Sequence, residues 1–139
     1  MKKNYLTSSW QVISIALIVI FGSSCMEQKV LFLTSAVVPA AEGRVVIKPD
    51  KNHNYVINIT ISNLAAVERL QPSKNAYVVW MEMKKGSYRN LGQIVSSESL
   101  NASFETVSTV MPVKIFITAE DYESVTYPGT TVVLTTRRF

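Results

Sequence analysis

Few side chains in this 139-residue sequence could carry chemistry, and they are scattered. There is one histidine, His53, so any histidine-based metal site or Ser/His/Asp triad would have to use it. It stands in Lys51-Asn52-His53-Asn54, a polar run whose composition predicts a solvated turn. The acidic concentrations are Asp50 and Glu120-Asp121-x-Glu123. The latter could offer oxygens to calcium, but it lacks the spaced Asp/Asn/Gly run of a dedicated calcium loop and reads as a solvated loop. Nothing selects a pair of carboxylates for glycosidic acid and base work. No glycine-rich phosphate loop occurs. The expectation is therefore no catalytic residue, no metal and no cofactor. Tyr122 and Tyr127 lie in loops on either side of Val125 and are the candidates for an exposed contact.

The remaining reactive group is Cys25, the only thiol in the chain. It follows a short positive start, Met1-Lys2-Lys3, an uncharged apolar run over residues 12–21, and the small residues Gly22-Ser23-Ser24. The run has the length of a signal-peptide core and is short for a membrane span, which needs roughly 20 apolar residues. Small residues directly before a cysteine at that place resemble a bacterial lipobox. It departs from the usual pattern at Gly22, where an aliphatic residue is the norm. A lone cysteine cannot form an intramolecular disulfide. The expectation is that Cys25 takes a diacylglyceryl group and becomes the first residue of the mature chain. The expected division is a lipoprotein signal peptide over 1–24, a lipidated tether over 25–30 and a folded domain over 31–139.

The formal charge of +4 shrinks to +2 once Lys2 and Lys3 leave with the signal. No basic run exceeds two residues, as in Lys84-Lys85 and Arg137-Arg138, so nucleic acid is not expected as a partner.

Beyond residue 30 the chain becomes a series of short segments rich in Val, Ile, Thr and Tyr, punctuated by Pro, Gly and Asn. None carries the apolar spacing of an amphipathic helix. Strands are expected over 30–38, 44–48, 55–61, 76–83, 88–95, 102–107, 113–119 and 130–136. The segment 55–61 alternates most cleanly, with Tyr55, Ile57, Ile59 and Ile61 on one face. The segment 76–83, Ala-Tyr-Val-Val-Trp-Met-Glu-Met, reads as a central strand with Trp80 in the core, and the Lys84-Lys85-Gly86-Ser87 turn leads to its partner. Residues 63–74 read as a connection with one helical turn over 65–69. Seven or eight strands at this spacing predict an all-β, antiparallel, immunoglobulin-like β-sandwich after an N-terminal signal-peptide helix.

Leu70, Pro72, Tyr77-Val78-Val79-Trp80, Gly86, Leu91-Gly92, Thr118-Ala119-Glu120, Pro128-Gly129 and Val132-Val133-Leu134 fall in an order that resembles the extracytoplasmic domain of anti-sigma-K factors. The likeness spans residues 70–134. It implies an immunoglobulin-like sandwich with Tyr-x-x-Trp in the core and a later strand ending in Thr-x-Glu. Members of that family have Gly-Gly soon after the glutamate, where this chain has Asp121-Tyr122-Glu123-Ser124. They also carry a sigma-binding segment and a membrane span that this chain lacks before Cys25, so the resemblance implies the fold and not the binding of a sigma factor.

Together these readings describe a non-enzymatic binding or accessory module of a bacterial cell envelope. The N-terminal lipid would hold it to the periplasmic face or the outer membrane, and an envelope protein would be its partner. The alternative is a sensor-like relative of anti-sigma extracytoplasmic domains acting with a separate membrane protein. A small hydrolase or carbohydrate-active protein is the remotest reading.

Overall fold

The computed structural model describes residues 26–139. The expected signal helix and Cys25 lie outside the described residues. Eight strands form: β1 (Gln28–Leu31), β2 (Glu42–Pro49), β3 (Tyr55–Ser62), β4 (Ala76–Glu82), β5 (Tyr88–Ile94), β6 (Ala102–Ser108), β7 (Lys114–Glu120) and β8 (Val132–Thr135). They make two four-stranded sheets with the orders β1-β2-β3-β6 and β5-β4-β7-β8. Every strand pairing is antiparallel. The chain crosses between layers after β3, after β5 and again after β6, which is the Greek-key path of an immunoglobulin-like sandwich.

Alternation decides which side chains meet between the layers. Val45 and Ile47 of β2 and Ile57, Ile59 and Ile61 of β3 point inward. They face Tyr77, Val79 and Met81 of β4, Ile94 of β5, and Ile115, Ile117 and Ala119 of β7 in one continuous cluster. β-branched and aromatic side chains suit this pleated, half-buried surface, and a one-residue slip in register would turn each row to water.

The connection between β3 and β4 holds a single 3-10 turn, Val67–Arg69, within the segment expected to hold a helical turn. Leu64, Val67 and Leu70 are buried and close one end of the core. A bulge at Leu91-Gly92 sets Asn90 opposite Trp80 and Gly92 opposite Val79. Gly92 has φ +132°, a conformation that side-chain-bearing residues rarely adopt, and an added Cβ would also press on the Phe104 ring at 3.3 Å.

The first strand differs from the sequence expectation. It begins at Gln28, inside the stretch read as a tether, and ends at Leu31 rather than continuing to residue 38. Phe32 still donates its amide to the Gly43 carbonyl of β2 at 3.0 Å but also bridges to Thr136, while the Leu33 amide donates to the Thr135 carbonyl at 2.8 Å. The Ser35 hydroxyl accepts the Val37 and Val38 amides at 3.1 and 3.0 Å, a local turn that competes with strand extension. The result ties the two layers together along one side.

β4 is buried along its whole length, on both faces. Its odd-numbered residues enter the core between the sheets, while Ala76, Val78 and Trp80 form a second cluster with Phe116 and Val125 on the outer face. Trp80 is thus fully buried in a core cluster, as the sequence reading expected, and that cluster is separate from the one between the sheets. Something must cover that outer face, and the 121–129 loop does.

Candidate contact surface on the outer face of the second sheet

The outer row of β7 is Phe116, Thr118 and Glu120, which in register stand opposite Trp80, Val78 and Ala76 of β4. Trp80 lies across this row. Its Nε1–H donates to Thr118 Oγ1 at 2.8 Å, and the Thr118 hydroxyl donates in turn to Glu120 Oε1 at 2.5 Å. The same carboxylate oxygen accepts the Gly129 amide at 2.7 Å. A carboxylate taken from water needs such donors, and here indole, hydroxyl and backbone form one satisfied chain. The Trp80 and Phe116 rings stack at 6.3 Å, and Tyr88 meets Phe116 edge-on at 5.5 Å.

Glu120, expected in a solvated acidic loop, is therefore the last residue of β7 and is buried. The burial has a physical cause in Gly129. A Cβ there would lie 2.6 Å from Glu120 Oε2, so any side chain at this position would push the carboxylate from the place where its donors hold it. Asp121 points away and pairs with Lys74 Nζ at 3.0 Å. The acidic trio is thus dispersed, and among the described residues no group of three His, Cys, Asp or Glu side chains is placed to hold a metal ion.

Further bonds hold the loop from outside. Asn75 Nδ2 donates to the Asp121 carbonyl at 3.2 Å. Asn90 Nδ2 donates to the carbonyls of Glu123 and Val125 at 2.9 and 2.8 Å, and its Oδ1 accepts the Gly92 amide at 2.9 Å. The bulge in β5 is what aims Asn90 at the loop. Clamped at Asp121, Glu123, Val125 and Gly129, the loop lays Val125 over the tryptophan cluster. It turns Tyr122 and Tyr127 outward, 69% and 81% exposed. These two tyrosines, with Ser124, Val125 and Thr126, line a shallow depression of about 430 Å³. Rigid aromatic side chains on a fixed loop give large contact area at small entropic cost, the composition of a protein-binding surface.

The other candidates separate from this surface. His53 sits at a hairpin tip with φ +63°, exposed, in a turn organised by Asp50. Asp50 Oδ1 accepts the amides of Asn52 and Asn54 at 2.7 and 2.9 Å. The Asn54 amide is the main reason its carboxyl stays below the usual aspartate range. Tyr77 and Phe104 face the interior between the sheets. Tyr77 donates its hydroxyl to the Ala65 carbonyl at 2.9 Å, and burial, with a lesser push from Glu68, raises its phenol to about 12.

The sequence reading found both exposed tyrosines and missed what fixes them. Asn75, Asn90 and Lys74 carry no local signal, because each bonds to a residue more than thirty positions away. Thr118 was visible only as a fragment of a resemblance, Glu120 was read into an acidic loop, and Gly129 read only as part of a turn. No known family matches this chain, and neither does any curated protein.

Proposed function

We propose that the protein is a lipid-anchored binding or accessory module of a bacterial cell envelope, tethered through Cys25 and contacting an envelope protein through the 121–129 loop without catalysing a reaction. The observation that carries the contact surface is that a loop pinned at four points exposes two tyrosines over one depression. The pins close the loop over the Trp80 cluster, but covering that face does not need two tyrosines turned outward. The position of Cys25, the only thiol, behind an apolar run and small residues carries the anchor. Two acyl chains make such attachment stable.

One observation favours a second reading, a sensor-like role akin to anti-sigma extracytoplasmic domains. Trp80, Thr118 and Glu120, motif residues of that resemblance, join in a single network. Such a protein would act with a separate membrane partner.

The test pairs labelling with capture. Radiolabelled palmitate enters the wild type and is lost in Cys25→Ser. Affinity capture from native envelope recovers a partner with the wild type and loses it with Tyr122→Ala/Tyr127→Ala, whose circular dichroism is unchanged. Equal palmitate labelling of both proteins removes the anchor, and equal capture by both removes the loop as the contact. A captured membrane protein with a cytoplasmic sigma-binding segment would select the second reading.

A further inference from the structure

The other layer of the sandwich carries a different kind of surface. Along β1 and just beyond it, Lys29, Leu31 and Leu33 alternate with Val30 and Phe32, so the first three share the outer side of the chain. Phe32 turns inward against the core, whereas Leu31 and Leu33 are 71% and 40% exposed. Met26, ahead of the strand, is also exposed, as is Val37 in the turn that follows.

Register places this row beside the outer row of β2. Leu31 stands next to Arg44 and Lys29 next to Val46. Lys29 and Lys48 share the Glu27 carboxylate at 3.2 and 2.9 Å, which leaves one net positive charge on that triplet; Arg44 adds a second, and Glu42, two residues before it on the same face, brings the surface back to one. Beside the row a cleft of about 860 Å³ opens, lined in part by Leu31, Phe32, Pro39, Arg44 and the acidic Glu42.

We propose that this β1 edge is a membrane-contact surface, with Leu31 and Leu33 seated at the headgroup–acyl boundary of a bilayer and Lys29, Arg44 and Lys48 among anionic headgroups. An apolar row fringed by basic side chains is the composition of an interfacial element. Lysine and arginine stems lie along apolar surface while their charges stay at the headgroups. The cleft gives a headgroup room beside Arg44. Position supports the lipid surface over another occupant, because β1 begins at Gln28, only three residues after the proposed anchor Cys25. The contact loop lies on the opposite layer, so a domain resting on β1 keeps Tyr122 and Tyr127 away from the bilayer.

The orientation rests on the anchor reading, so the experiment supplies a synthetic tether and is scored independently of palmitate labelling. Residues 25–139, which include both sheets and the whole core, are coupled through the Cys25 thiol to a maleimide lipid in phosphatidylcholine–phosphatidylglycerol vesicles. The control is the same protein coupled to a soluble maleimide. Hydrogen exchange read by mass spectrometry is expected to slow several-fold in residues 33–41 on the vesicles, with residues 121–129 unchanged. Leu31→Asp/Leu33→Asp abolishes the slowing while circular dichroism stays that of the wild type. The proposal is overturned by unaltered exchange at 33–41, by slowing at 121–129 instead, or by slowing that depends on protein density, which would mark a second copy as the occupant.

Discussion

Thr118 is the residue on which the outer cluster turns, since its hydroxyl accepts from Trp80 and donates to Glu120. Thr118→Val keeps the shape and removes both bonds, leaving a buried indole N–H and a buried carboxylate each short of a partner. The expected cost is about 1–3 kcal/mol, read as a lower urea midpoint with an unchanged slope. Tyr77 makes a second prediction at this scale. Its phenol is raised from 10.0 to about 12, so the folded state holds its proton more tightly than the unfolded chain does. The associated stability is present in full below pH 10 and falls as pH rises from about 10 to about 12. Tyr77→Phe should flatten that alkaline loss in urea titrations. The exposure of Tyr122 and Tyr127 was legible in the sequence because Pro128-Gly129 and the acidic residues around them mark a turn. The burial of Glu120 was not, because a lone carboxylate reads as solvated unless its distant donors are known.

At the level of elements, alternation made most of the fold legible. The apolar rows of β3 and β7 gave those strands and their inward faces, and the Lys84-Lys85-Gly86-Ser87 turn gave the β4–β5 hairpin. β4 shows where alternation stops helping. Its residues are apolar on both faces because two layers bury it, the inter-sheet core and the 121–129 loop, and a run apolar throughout does not say what lies on each side. The end of β1 was illegible for a related reason, since the bridge from Phe32 to Thr136 depends on the second sheet. The loop itself is tested by Gly129→Ala. The new methyl collides with the Glu120 carboxylate and costs about 1–3 kcal/mol. Limited proteolysis should then cut within 121–129, at a rate the wild type does not show. An uncut loop in this variant would mean that the Glu120–Gly129 contact does not hold the loop shut.

For the molecule as a whole, composition and spacing were enough to reach a two-layer antiparallel sandwich, because strand period and turn residues are local properties. The division of labour between the layers was not, since it follows from which loop folds over which face. The first sheet begins beside Cys25 and carries the leucine row, while the second carries the clamped loop with its two tyrosines. On the proposed reading, a module built this way would engage a partner on the side away from its anchor. The most direct measurement is site-specific photo-crosslinking in the native envelope, with a photoreactive residue replacing either Tyr127 on the loop or Glu105 on the exposed face of the first sheet. A discrete protein adduct from position 127 and none from position 105 is the predicted result. An adduct from position 105 with none from position 127 would contradict the account.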